Sequence, residues 1–185
     1  ISKRPNLTDL NSAINYNQIY EQLMMLSLCI YTPSNYIFPS KLEKYIDMSH
    51  HKGTNLTQIG REQGIKRITA ISLMKRMESS IYSFRLTLER INEQITETIH
   101  TIEQYKTSKA SGKIDVTDIT ESIDDLDSED MNDDIFSIGK KVKIDLEDMD
   151  YLSWESSLEH DKEIFDLLDS LVLDITPEHD LKLQE

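Results

Sequence analysis

Between Ile65 and Lys106, apolar residues recur at Ile68, Ile71, Met74, Met77, Ile81, Phe84, Leu88, Ile91, Ile95, Ile99, Ile102 and Tyr105. Every step is three or four residues, the period of a helix face and not the alternation of a strand. No Gly or Pro interrupts residues 66–106. The pattern therefore predicts one helix of about forty residues, a rod of roughly 60 Å. A rod that long outruns the core of a 185-residue chain, so part of it is expected to pack on another helix or domain.

Upstream, Ile19, Leu23, Leu26 and Ile30 mark one face of a helix over 16–31. Met24, Met25 and Leu28 widen that stripe enough to predict burial on more than one side. Pro33 stops the helix, because proline pushes the residue before it out of the helical region. In the linker that follows, Tyr31, Tyr36 and Phe38 are expected to pin the chain on the core. Ser40 and Glu43 are spaced as a capping box for a short helix, KLEKYIDM. SHHKGTN reads as a loop, and a further short helix is expected around LTQIGREQ, ending near Gly64.

Beyond the long helix, TSKASGK reads as a linker and residues 138–146 as a short strand. Helical spacing returns over 148–174 at Met149, Leu152, Leu158, Ile164, Leu167, Leu168 and Leu171, with Ile175 just beyond. Thr176 and Pro177 then open a last helix, the proline sitting in its first turn where a missing N–H costs nothing. The fold class predicted is all-α, an elongated helical bundle with the long helix as its spine. Three regions follow: 1–113 with the long helix, an acidic connector over 114–147, and C-terminal helices over 148–185.

Charge sharpens this division. The net charge is −14, but residues 1–113 hold 15 Lys and Arg against 10 Asp and Glu, while 114–185 hold 5 against 24. Residues 115–134 carry ten acids and no base. Self-repulsion and low apolar density there predict mobility. The single cysteine, Cys29, lies in an apolar run and reads as a buried free thiol, consistent with a cytoplasmic setting. No run approaches the roughly 20 apolar residues of a membrane span. The opening ISKRPNL has neither an initiator methionine nor a signal-peptide pattern, and the chain is expected to be a piece of a longer one.

Catalytic signatures do not emerge. A phosphate-cradling loop needs glycines ahead of a Lys-Ser/Thr pair, and Gly139-Lys140-Lys141 lacks both the upstream glycine and the hydroxyl. His50, His51, His100, His160 and His179 have no zinc-helix spacing, and no cysteine pair joins them. A calcium loop through Asp125, Asp127 and Glu129 would need glycine at its sixth position and glutamate at its twelfth; Asp130 and Phe136 stand there instead. No metal ligand and no catalytic residue is assigned. The basic residues of the long helix are Lys66, Arg67, Lys75, Arg76, Arg85 and Arg90. They could contact nucleic-acid phosphates, or form a solvated face balanced by Glu62, Glu78, Glu89 and Glu93. The seven-residue steps of Ile81, Leu88, Ile95 and Ile102 suit supercoiled self-association. Trp154 reads as core.

Four stretches carry a resemblance. LMKRMESSIYSFRLTLERI (73–91) resembles a motif of bacterial superfamily 2 helicases of the Swi/Snf-like type. YTPSNYI (31–37), IGKKVKIDLEDMD (138–150) and LEHDKEI with ITPEHDLKLQE (158–164 and 175–185) are similar to further segments of the same proteins, in the same order. The resemblance implies the helical region joining two RecA-like ATPase lobes, with the C-terminal helices leading toward the second lobe. ATP, Mg and DNA or RNA would then belong to the parent helicase or translocase, and the lobes would be this region's partners. No ATPase motif has a matching position here. Lys75, Arg76, Glu78, Ser79 and Ser80 match the motif, either as a structural joint, the preferred reading, or as a substrate contact. The alternative is a helical protein-interaction or dimerisation module with an acidic tail.

Overall fold

The computed structural model describes residues 16–45, 58–108, 112–115 and 143–172. Among them are four helices of ten residues or more: α1 (Tyr16–Met25), α2 (Gln58–Ser79), α3 (Ile81–Ser108) and α4 (Tyr151–Val172). A three-residue ladder joins β1 (Lys113–Asp115) to β2 (Lys143–Asp145), antiparallel, with Ile114 opposite Ile144. The fold is thus mostly helical, and no helix among the described residues is long and apolar enough to cross a membrane.

The centre is the pair α3 and α4. On α3, Ile81, Phe84, Leu88, Ile91, Ile95 and Ile102 are buried; on α4, Trp154, Leu158, Ile164, Phe165, Leu168 and Val172 are. Each set follows helical spacing, so each helix has one apolar stripe to hide. The two run antiparallel. Asn92 Nδ2 donates to Asp166 Oδ1 at 2.8 Å near the middle of α3, while Lys106 near its end pairs with Glu155 near the start of α4. Tyr105 and Tyr151 meet edge to face at 5.4 Å beside that pair. Ile81, Leu88, Ile95 and Ile102, expected to offer a seam for self-association, are 5, 0, 0 and 0% exposed in the chain's own core. A second copy would have to displace that packing to use them.

The expected forty-residue rod is two helices. Regular helix stops at Ser79 and restarts at Ile81. Ser80 is the hinge: its Oγ accepts the Ser83 N–H at 3.2 Å and its carbonyl accepts the Phe84 N–H at 3.0 Å, the arrangement of an N-cap. Two adjacent serines compete for backbone hydrogen bonds, which apolar periodicity does not register. In the other direction α2 is longer than expected, running through Gly60 and Gly64 from Gln58. A helical glycine costs about 1 kcal/mol, and burial of Ile65, Leu73 and Met77 offsets it.

Upstream, α1 ends at Met25, well short of Pro33. Leu28 takes a left-handed backbone conformation (φ 52°, ψ 37°), and tight 3-10 turns follow at Cys29–Tyr31, Pro33–Tyr36 and Pro39–Lys41. Met24 and Met25 are exposed, so α1 buries one face through Ile19 and Leu23 and not several. Of the three aromatic pins, Tyr31 is buried and Tyr36 half-buried, but Phe38 is exposed. Ser40 lies inside a 3-10 turn and residues 43–45 are helical; the rest of the KLEKYIDM helix lies outside the described residues.

Part of the expected linker is structured. Gly112 lies so close to the core that a Cβ there would fall 2.7 Å from Leu146 Cδ1 and 2.8 Å from Tyr105 Cδ2. Its carbonyl accepts the Leu146 N–H at 2.9 Å. The boundary read at 113/114 therefore falls within β1, and that at 147/148 within the 3-10 turn Leu146–Asp148. The acidic stretch beyond Asp115, residues 138–142 of the expected strand, and the helix opened by Thr176 lie outside the described residues.

Candidate functional site

Residues 27–38 run across the molecule between α2 and α4, and buried acids on both helices hold them. Asp161, fully buried on α4, accepts the Ser27 N–H at 2.9 Å through Oδ1, and the Ser27 hydroxyl at 2.8 Å and the Cys29 N–H at 3.4 Å through Oδ2. Trp154 Nε1 donates to the Cys29 carbonyl at 2.9 Å. Glu62, 1% exposed on α2, accepts the Ser34 N–H at 2.8 Å, the Ser34 hydroxyl, and Gln58 Nε2 at 3.0 Å. These ties explain why α1 stops early: the amides that would continue it are spent on a carboxylate from another helix.

Further along, the chain meets the approach to α4. Phe38 N–H donates to the Asp148 carbonyl at 2.9 Å and Asp150 N–H to the Tyr36 carbonyl at 2.8 Å, around a bridge of Ile37 with Met149. Tyr45 Oη donates to Asp148 Oδ2 at 2.5 Å and accepts the Asp145 N–H at 3.1 Å, and Lys44 Nζ lies 2.8 Å from the same carboxylate. Burial opposes ionisation of Asp148, but the hydrogen bonds from Lys44 and Tyr45 outweigh it and hold its carboxyl below the usual range. Cys29 is a buried free thiol, as expected, with its pKa pushed up to about 12 chiefly by burial. At neutral pH it is a small apolar group and not a nucleophile.

The expected basic residues do not form one face. Successive residues of a helix are turned by about 100°, which sets Lys66 opposite Lys75 and Arg67 opposite Arg76 on α2. Arg67 and Lys75 are exposed, whereas Lys66 and Arg76 are partly covered at the flanks of the helix. On α3, Arg85 is half-buried and pairs with Glu89 at 3.0 Å, four residues on; Arg90 is exposed, with its charge near the Tyr31 hydroxyl. Glu62, expected as a solvent-facing balance for these charges, is in the core. The exposed side of α2 is instead a mixed stripe: Ile59 (41% exposed), Arg67, Ile71 (45%) and Lys75.

Within KRMESS the serines differ in role. Ser79 Oγ donates to the Lys75 carbonyl at 2.8 Å on an exposed turn, while Ser80 caps α3. Replacing Ser80 with alanine is expected to cost about 1 kcal/mol, with Ser80→Asp retaining most of it and Ser79→Ala near neutral. Urea melts of the three variants check this, and equal effects at 79 and 80 would refute the capping role.

Two clefts lie along α3. One, of about 360 Å³, is lined by Glu89, Asn92, Glu93, Thr96, Glu97 and Asp169. Burial, then its carboxylate neighbours Glu89 and Asp166, raises the pKa of Asp169 against the Asn92 hydrogen bond. Such a lining repels a triphosphate. The other, of about 220 Å³, lies against β1 between Thr98, Thr101 and Ile114. Among the described residues no group of three or more His, Cys, Asp or Glu is placed to hold a metal ion. His100 and His160 are exposed, and the remaining histidines lie outside the described residues.

Glu62 and Asp161 were legible only as anomalies. Each occupies a core position of its helix stripe, Glu62 between Gln58 and Ile65, Asp161 between Leu158 and Phe165. A carboxylate at such a position signals a buried acceptor. Compared with protein families, curated proteins and solved structures, the chain matches none.

Proposed function

We propose that this chain is the helical inter-lobe region of an ATP-dependent helicase or translocase of the bacterial superfamily 2, Swi/Snf-like type, acting as a joint and not as a catalyst. One observation carries the reading: two of the stretches that bear the resemblance, 31–37 and 138–150, join backbone to backbone, the Asp150 N–H donating to the Tyr36 carbonyl beside the bridge of Ile37 with Met149. Glu62 and Trp154, outside those stretches, hold the same turn, and the motif spanning 73–91 contains the Ser80 joint. Motif residues Lys75, Arg76, Glu78 and Ser79 then shape the end of α2, and Ser80 sets where α3 begins. ATP and Mg act in the parent's RecA-like lobes, outside this region.

The mixed stripe on α2 favours docking against a neighbouring lobe over contact with nucleic acid, because apolar Ile59 and Ile71 alternate with its cations. That same stripe supports the second reading, a protein-interaction module. Fluorescence anisotropy with labelled DNA over a salt series tests the docking role. No binding that responds to a combined Arg67→Ala/Lys75→Ala variant is expected. Binding that weakens as salt rises and vanishes in that variant would instead make α2 a substrate-guiding surface. The purified chain is also expected to hydrolyse no ATP; turnover abolished by chelating Mg would overturn the assignment.

A further inference from the structure

Glu62 is a carboxylate in the core with three donors and, among the described residues, no ion-pair partner. Arg61 adjoins it in sequence but its Nε is buried without a hydrogen-bond partner. Two of the three donors come from Ser34, so the carboxylate joins α2 to the turns at 29–36. The Ser34–Glu62 contact serves either protonation state. An ionised Glu62 accepts the Ser34 hydroxyl proton, and a protonated one donates its own to Ser34 Oγ. Geometry therefore leaves the proton free to come and go, while burial penalises only the charged form.

Other ionisable groups border this contact. The turns packed on α2 contribute Cys29, Tyr31 and Tyr36, all raised by burial and uncharged at neutral pH. α3 contributes Arg90, whose charge acts on Tyr31, α2 itself contributes Arg61, and α4, packed on the same turns, contributes Asp161 beside Cys29 and Tyr36. We propose that Glu62 is a proton-controlled latch: proton uptake tightens, and proton release loosens, the attachment of α2 and its exposed stripe to the turns at 29–36.

Burial pushes Glu62 up to about 7 from 4.5, against the lowering effect of the Ser34 and Gln58 hydrogen bonds and of Arg61. A carboxyl raised in the folded state binds its proton more tightly there than in an opened state. The attachment is therefore strongest below pH 4.5, weakens as pH rises to about 7, and is level above that. The Ser34 amide, bonded directly to Glu62, reports the opening. Its hydrogen-exchange protection in the full chain, corrected for intrinsic exchange, is expected to fall on the order of 20-fold between pH 5.5 and 8. In Glu62→Gln the fall should vanish. Protection that is level in the wild type, or a fall that persists in Glu62→Gln, overturns the proposal. Should the variant fail to fold, a carbon-detected NMR titration of the wild-type Glu62 carboxyl decides: a midpoint near 7 supports the latch, and one near 4.5 removes it.

Discussion

Replacing Trp154 with alanine is expected to destabilise the chain by about 3–5 kcal/mol from the lost packing alone. The indole is fully buried and packs against Tyr36, with ring centroids 6.3 Å apart. Its Nε1 also donates to the Cys29 carbonyl, and losing that donor leaves a buried acceptor unpaired, a further penalty of about 1–3 kcal/mol. Since domains of this size are stable by only about 5–15 kcal/mol, the alanine variant should be close to unfolding at 25 °C. Trp154→Phe separates the two contributions, because it keeps most of the packing and removes the donor. Urea denaturation followed by far-UV circular dichroism gives the ranking. A loss below about 1 kcal/mol for alanine would mean that the turns at 29–36 do not depend on α4 as described.

Asp161→Ala should be of similar size, for a different reason. Little apolar packing is lost, but the Ser27 and Cys29 N–H groups and the Ser27 hydroxyl lose their acceptor. Stranding the buried Cys29 N–H costs about 1–3 kcal/mol and the part-buried Ser27 donors less each, so about 3–5 kcal/mol is expected in total. Asp161→Asn, which retains one acceptor oxygen, should fall between alanine and wild type. Trp154 and Asp161 grip the same residue, one by the Cys29 carbonyl and the other by its amide. Their losses should therefore combine to less than their sum, by about 0.5–3 kcal/mol. Strict additivity in a double-mutant cycle would contradict a shared anchor.

The parts of this fold that sequence patterning foretold are those governed by one helix hiding one stripe. Of the apolar residues read on α3 and α4, Phe84, Leu88, Ile95, Leu158 and Leu168 are core, and Trp154 is too, whereas Leu152 and Leu167 are exposed and Ile99, Tyr105 and Leu171 only partly buried. Patterning failed where a distant side chain decides local backbone. Nothing in LMMLSLCIY announces that Asp161, far along the chain, will take the amides of Ser27 and Cys29 and end α1. Nor does a run of three residues, Lys113 to Asp115, offer enough alternation to be read as a strand. The break at Ser80 was hidden because apolar spacing continues from Met77 to Ile81 and Phe84 across it. As for the site, the basic residues were correctly found on helices, but their angular spread, obtainable by counting 100° per residue, denies them a common face.

The ladder between β1 and β2 has a consequence for how the chain tolerates change. By setting Lys113 opposite Asp145 and Asp115 opposite Lys143, it brings together the two ends of everything between them. The antiparallel register of α3 and α4 is fixed on the helix side of that ladder, by Asn92 with Asp166 and Lys106 with Glu155. The connection from Asp115 to Lys143 therefore begins and ends at one place. For a flexible insert there, each doubling of its length would cost only about 0.6 kcal/mol in closure entropy, so engineered versions can lengthen it while the helical frame keeps its register.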